Sequence, residues 1–271
     1  MRITVCQLHN GRDALTADWD HLVEHVKTQA SELVLLPEMP FYPWFPTPRQ
    51  FDARVWRDAV AAHDRWEKRL SELMPAIALG TRPVDFGALR YSAGFMWNDD
   101  EGIAETIHVK SCLSNEDGSW ETTWYERATP DFETARVGPA RVGMLIGLEL
   151  LMSDQARLYG EDGAHIVAVP RVDRSGDGDM DGANNEWLEG GRSAAIASGA
   201  FCISSSRGGR GNSSGGPGWV ISPDGRTLAV TSPDQPFASV DIDLAAVVQH
   251  PRPAAPMGMP LIESADVRFR R

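Results

Sequence analysis

Val142-Gly143-Met144-Leu145-Ile146-Gly147-Leu148-Glu149 reads as a short apolar run that enters a tight turn and meets an acid. The run from Arg141 to Ile146 is too short for a helix core and fits a buried strand. Working outward, the same kind of segment recurs on both sides. Arg2 to Leu8, with Ile3 and Val5, Leu33 to Pro37, Ala76 to Thr81, Ala164 to Val169 and Phe201 to Ser206 all read as strands. Between them lie helical patterns. Trp19 to Ala30 carries Leu22, Val23 and Val26 on one face, and Phe51 to Met74 spaces tryptophans and alanines for one face. Helices are also expected from about Ser153 to Gly160 and from Asn185 to Ser198. Ser92–Trp97 and Ile103–Lys110 form a strand pair around the acidic turn Asn98-Asp99-Asp100-Glu101-Gly102. Short strands close the chain at Trp219–Ile221, Thr227–Val230 and Ala238–Ile242, the first two joined by Ser222-Pro223-Asp224-Gly225. Strands alternating with helices imply an α/β fold of buried sheets covered by helices. No linker interrupts the pattern, so residues 1–271 read as one domain. Ser204 to Gly218 is expected as a loop, and a proline-rich arm, including Pro251–Pro260, occupies about 250–271.

Charge narrows the function. The 26 basic and 38 acidic side chains leave a formal net charge of −12, which repels phosphate backbones and anionic lipid. Nucleic acid and membrane are therefore not expected partners, whereas a neutral or cationic small molecule is. No stretch reaches the roughly 18 apolar residues of a membrane span, and no secretory signal opens the chain. Cys6, Cys112 and Cys202 are odd in number and lack C-x-x-C spacing, so neither disulfides nor a zinc site is expected, and a reducing cytoplasm is the simplest location. Neither metal nor cofactor is called for.

Four segments carry polar groups at the ends of strands. They are Val34-Leu35-Leu36-Pro37-Glu38, His108-Val109-Lys110, Gly118-Ser119-Trp120-Glu121 and the opening run with Gly147. Ala156-Arg157 to Pro170, Trp187 with Gly191-Arg192, and Gly216 to Gly225 accompany them. Taken singly, a glutamate after a strand is a solvated cap and a strand-end lysine a surface residue. In this order and spacing they resemble the nitrilase superfamily of carbon–nitrogen hydrolases along nearly the whole chain. The resemblance implies a four-layer α-β-β-α sandwich, a homodimer or larger homo-oligomer, and thiol-dependent hydrolysis of a non-peptide C–N bond. A small amide is the first substrate expectation, with a nitrile or N-carbamoyl compound as alternatives. It casts Glu38 as general base and acid, Lys110 as the oxyanion holder aided by the Leu148 N–H, and Glu121 as the group that holds Lys110 or relays a proton. This division of labour suits attack on an amide carbon, which needs a nucleophile, a proton carrier and a stabiliser of developing negative charge. Phe41, Trp44, Glu149 and Trp187 are the expected substrate contacts, Phe41 and Trp44 as possible walls for an apolar acyl group.

The departure is residue 147, where that superfamily has its nucleophilic cysteine and this chain has glycine. Three explanations compete: an inactivating replacement of the cysteine, a native binding or regulatory protein without turnover, or substitution by Cys112, which shares a face with Lys110 in an extended segment. The retained Glu38, Lys110 and Glu121 favour the first, because a buried charge cluster is costly to keep without a use. Two other motifs read as decoys. Gly211-Asn212-Ser213-Ser214-Gly215 matches G-x-S-x-G but lacks the strand–turn–helix context of a serine nucleophile. Asp177-Gly178-Asp179-Met180-Asp181-Gly182 resembles the start of a calcium loop, but Leu188 stands where the bidentate glutamate belongs, so a solvated acidic loop is expected.

Overall fold

The computed structural model describes residues 1–98, 104–172, 180–208 and 216–247. In chain order it contains β1 (Arg2–His9), α1 (Arg12–Gln29), β2 (Leu33–Leu35), α2 (Ala53–Glu67), β3 (Ile77–Phe86), β4 (Leu89–Trp97), β5 (Glu105–Val109) and α3 (Glu121–Trp124). Then follow β6 (Ala135–Val137), β7 (Ala140–Met144), α4 (Ser153–Glu161), β8 (Ile166–Val172), α5 (Met180–Ser198), β9 (Phe201–Gly208), β10 (Trp219–Ile221), β11 (Thr227–Val230) and β12 (Phe237–Asp241). One sheet runs β5-β4-β3-β2-β1-β12, with β1, β2 and β3 parallel. The other runs β6-β7-β8-β9-β10-β11, with β7, β8 and β9 parallel. The end of β1 pairs with the end of β9, Gln7 opposite Ser206, and joins the two sheets.

Alternation along the strands assigns each side chain to a layer. Ile3 and Val5 of β1 and Leu33 and Leu35 of β2 meet Val142 and Met144 of β7, Ile166 and Ala168 of β8, and Phe201 and Ile203 of β9 in one core between the sheets. The opposite faces point outward. Cys6, Leu8, Val34 and Ala78 pack beneath Leu15, Trp19, Leu22 and Val26 of α1. Leu145, Val167, Val169 and Cys202 pack against Ala156 and Tyr159 of α4 and Ala194 and Ala195 of α5. This is the expected four-layer α-β-β-α sandwich, and it explains why its central strands are apolar on both faces. Each fully buried Leu, Ile or Val contributes roughly 1.5–3 kcal/mol, which makes these three layers the main stabilising term.

Several boundaries differ from the sequence reading. The helix expected over Phe51–Met74 ends at Glu67. Its start is fixed by Asp52, whose Oδ1 accepts from the N–H of Arg54 at 2.7 Å and of Val55 at 3.4 Å. The chain then re-forms as a 3-10 turn at Leu70–Leu73 that brings Leu70 and Leu73 into the core under α1. The strand expected from Ser92 starts at Leu89, because β3 and β4 form one long hairpin with Phe86 opposite Leu89. The expected loop from Ser204 is strand as far as Gly208, since β8 continues to pair with it up to Val172 opposite Arg207. The β6–β7 hairpin was not anticipated. The acidic turn at 99–102, the G-x-S-x-G segment, residues 177–179 of the calcium-like segment and the proline-rich arm lie outside the described residues, and the rest of the calcium-like segment, expected as a loop, opens α5 at Met180. No helix among the described residues is long and apolar enough to cross a membrane.

Candidate active site

The two sheets place three charged side chains at one end of the sandwich. Beyond β2 the chain remains extended, with the Leu36 N–H donating to the Leu79 carbonyl at 2.7 Å, and delivers Glu38. Met39 then turns sharply with φ +48°, a left-handed conformation uncommon for a side-chain-bearing residue. It is held from both sides: its N–H donates to Thr81 Oγ1 at 2.7 Å, and its carbonyl accepts from the Arg207 guanidinium at 2.5 Å. Arg207 also donates to the Tyr42 carbonyl. Backbone strain of this kind persists only when the surroundings fix it this firmly. Burial lowers the Arg207 pKa to about 9, against the opposing influence of Glu38.

Lys110 follows β5, anchored by its N–H to the Ser92 carbonyl at 2.9 Å. Its Nζ donates to Glu38 Oε1 at 2.8 Å and to Glu121 Oε1 at 2.6 Å. Glu121 opens the short helix α3, and its Oε2 accepts the Ser114 N–H at 2.8 Å. All three charged residues are at most 2% exposed. Burial raises the Glu38 pKa to about 7; the Lys110 charge opposes this and the Glu121 charge adds to it. For Lys110 burial acts downward, but the charges of Glu121 and Glu38 outweigh it and hold the ammonium above the ordinary lysine range. Glu38 is thus a carboxyl that can both take and give a proton near neutral pH, beside a permanent cation.

Residue 147 faces this pair. After β7 the chain enters a 3-10 turn, Gly147–Leu151, whose first residue has φ +56°. A Cβ on Gly147 would lie 2.9 Å from Glu38 Oε2 and 3.2 Å from Lys110 Nζ. A side chain at this position would therefore emerge directly between the acid and the ammonium. Leu148 stands in the first turn, where N–H groups have no acceptor within the helix and can serve a ligand oxygen. The strand before the turn is pressed against α4 through Gly143, where a Cβ would meet the Tyr159 ring at 2.4 Å.

Glu149 has a different place from the substrate contact expected of it. Its Oε1 accepts from the Ser111 N–H and Oγ, both at 2.7 Å, and from the Cys112 N–H at 3.3 Å. Its Oε2 accepts from the Ile146 N–H at 2.8 Å and stands 2.8 Å from His108 Nε2. Burial pushes its pKa up, but His108 and the N–H donors outweigh this and bring it down to about 2. With both oxygens engaged, Glu149 is a clasp tying the segment after Lys110 to the turn at residue 147. Phe41 also differs: it lies in the core under α1, stacked on Trp66 with centroids 5.4 Å apart and edge-on to Trp19 at 5.7 Å. Trp187 borders the core beneath α5, with the Arg171 guanidinium 5.5 Å from its ring centroid. Trp44 is half-buried beside Phe45, its N–H donating to Asn10 Oδ1 at 2.9 Å.

Sequence reasoning missed Thr81, His108, Ser111, Ser114, Tyr125 and Arg207. His108 had a usable signal, because in an extended segment it shares the period-two face of Lys110. The others are reached only through the fold. Cys112 is half-buried, and burial followed by the Glu149 charge raises its pKa, which keeps it a thiol and a poor nucleophile.

Comparison with known proteins agrees with this fold. The carbon–nitrogen hydrolase family profile matches residues 2–252. A carbon–nitrogen hydrolase from Helicobacter pylori G27 superposes with a TM-score of 0.78 at 18% identity, covering 91% of this chain and 90% of that one. A cysteine-to-alanine mutant of an amidase of the nitrilase superfamily from Nesterenkonia AN1 gives 0.72 at 18% identity over 91% and 92%. A glutamate-to-glutamine mutant of the same amidase, carrying the acetamide moiety of fluoroacetamide on its active-site cysteine, gives 0.73 at 18% over 93% and 94%. Among curated proteins none matches.

Proposed function

From the premise that this chain belongs to the carbon–nitrogen hydrolase family, we propose that Glu38, Lys110 and Glu121 form an amidase-type site from which the nucleophile has been removed by a replacement at residue 147. The observation that carries this reading is the direction of residue 147, whose Cβ position lies 2.9 Å from Glu38 Oε2 and 3.2 Å from Lys110 Nζ. A thiol there would pass its proton to Glu38 and attack the carbonyl carbon of a small amide. Lys110 and the Leu148 N–H would hold the oxyanion, and protonated Glu38 would give its proton to the departing amine. Water activated by Glu38 would then cleave the thioester. Glycine has no group to form that thioester, so the chain as it stands binds its amide and does not turn it over by this route.

The second reading is a native small-molecule binding or regulatory protein on the same fold. One feature favours it: residue 147 has φ +56°, a left-handed conformation that glycine adopts without the strain a side chain brings. Gly147→Cys, assayed for ammonia release on a panel of small amides, nitriles and N-carbamoyl compounds, separates the two. Release from amides supports the amidase reading, and silence across the panel supports the binding protein. Cys6, Cys112 and Cys202, all unpaired, support a reducing, cytoplasmic location. A homodimer or larger homo-oligomer belongs to the same proposal by family likeness.

A further inference from the structure

Most hydrogen-bonding groups around residue 147 are satisfied within the chain, and the remainder form a pattern. Lys110 Nζ carries three N–H groups, and Glu38 and Glu121 take two of them, leaving one. Glu121 Oε2 is taken by the Ser114 N–H. Glu38 Oε2 accepts nothing from the described residues and faces the Cβ position of residue 147. A further group is the Tyr125 hydroxyl, whose ring shares one buried cluster with Met39, the residue after Glu38. Tyr125 is 2% exposed, and its hydroxyl has no partner among the described residues.

Such a group is costly, since a buried hydroxyl without a partner loses roughly 1–3 kcal/mol of hydration. It is also fixed in place. The Tyr125 ring packs edge-on to Phe45 at 6.0 Å and Trp56 at 5.9 Å, and its N–H donates to the Glu121 carbonyl at 2.8 Å. Other buried atoms lack partners too. Ser92 Oγ, Arg207 Nε and Trp44 Nε1 are among them; Tyr125 is set apart by its place, with its N–H on the Glu121 carbonyl and its ring in one buried cluster with Met39, next to Glu38. Burial first, and then the charges of Glu121 and Glu38, raise the Tyr125 pKa, so the hydroxyl remains a donor.

We propose that Tyr125 is a ligand-binding residue whose hydroxyl donates, together with the remaining N–H of Lys110, to the acyl oxygen of a bound small primary amide. This rests on the amidase-type reading and extends it. A primary amide offers the complementary set: a carbonyl oxygen with two lone pairs for the two donors, and an N–H for Glu38 Oε2. The same inventory disfavours a carboxylate product, which would bring a negative charge against Glu38 and Glu121.

The test uses the full chain, which has no thiol at residue 147 and so should hold an amide unchanged. Acetamide is titrated into the unmodified protein and into Tyr125→Phe by ligand-observed NMR, and thermal unfolding of both is recorded. The expected result is an acetamide Kd about tenfold weaker in Tyr125→Phe, the size of one lost neutral hydrogen bond, with a thermal midpoint unchanged or raised. A purely structural hydroxyl would give the opposite pair, a lowered midpoint with unchanged affinity, and that overturns the assignment. Equal affinities at equal stability overturn the Tyr125 role alone. No saturable acetamide binding by the unmodified chain overturns the amide reading along with it.

Discussion

Glu38 ties the chemistry of the site to the stability of the fold. Its carboxyl has a pKa of about 7 in the folded protein against an ordinary value of 4.5, with burial as the main cause. Between those values the folded chain holds a proton that the unfolded chain has released. The contribution is therefore fully present below about pH 4.5 and lost as the pH rises through about 7. A shift of this size corresponds to about 3 kcal/mol. Many other groups titrate over this range, so the informative quantity is a difference. Glu38→Gln keeps the shape and removes the titration. Urea unfolding of both proteins from pH 4.5 to 7.5 should show the unmodified chain losing about 3 kcal/mol more than the variant. Glu149 does not confuse the comparison: its pKa is lowered to about 2, so its contribution is lost only as the pH falls well below this window. Parallel stability curves for the two proteins would refute the reasoning and place Glu38 in contact with water.

Lys110→Met should cost roughly 3–5 kcal/mol at pH 8, because it leaves Glu38 and Glu121 buried without their cation. Part of that loss should be recovered at pH 5 as Glu38, whose pKa burial already raises, takes up a proton, which thermal unfolding at the two pH values will show. Glu149→Gln should destabilise by about 3 kcal/mol or more, since its NH2 must face an N–H donor whichever way the amide turns. Denaturant titration measures it; a change below 1 kcal/mol, of the order of a surface substitution, would remove the clasp assigned to Glu149.

The layers and the charged trio were legible in the sequence for a definite reason. Leu33–Leu36 and Val142–Ile146 are short runs apolar on both faces, so their place between two other layers is written locally. Glu38 and Lys110 stand just past strand ends, where the chain leaves a sheet, and their order along the chain carried the rest. What could not be read is what depends on facing elements. Phe41 and Phe45 lie four positions apart in one aromatic stretch, yet Phe41 packs under α1 and Phe45 against Trp56, Trp124 and Tyr125. No periodicity distinguishes them, because the left-handed turn at Met39 sets their directions, and Thr81 and Arg207, distant in sequence, fix that turn. Glu149 likewise looked like a pocket acid until its five donors, from Ile146 and from the segment His108–Cys112, came into view.

A thiol introduced by Gly147→Cys probes the convergence of Glu38 and Lys110 on residue 147 most directly. Fluoroacetamide reacts slowly with ordinary thiols, because fluoride is a poor leaving group, and needs a thiolate and a held carbonyl. Peptide-mapped mass spectrometry of the treated variant should find the acetamide adduct at position 147 well before any at half-buried Cys112, and the adduct at 147 should vanish when Lys110→Met is added. Labelling confined to Cys112, or equal labelling at 147 with and without Lys110, would contradict the assembled site.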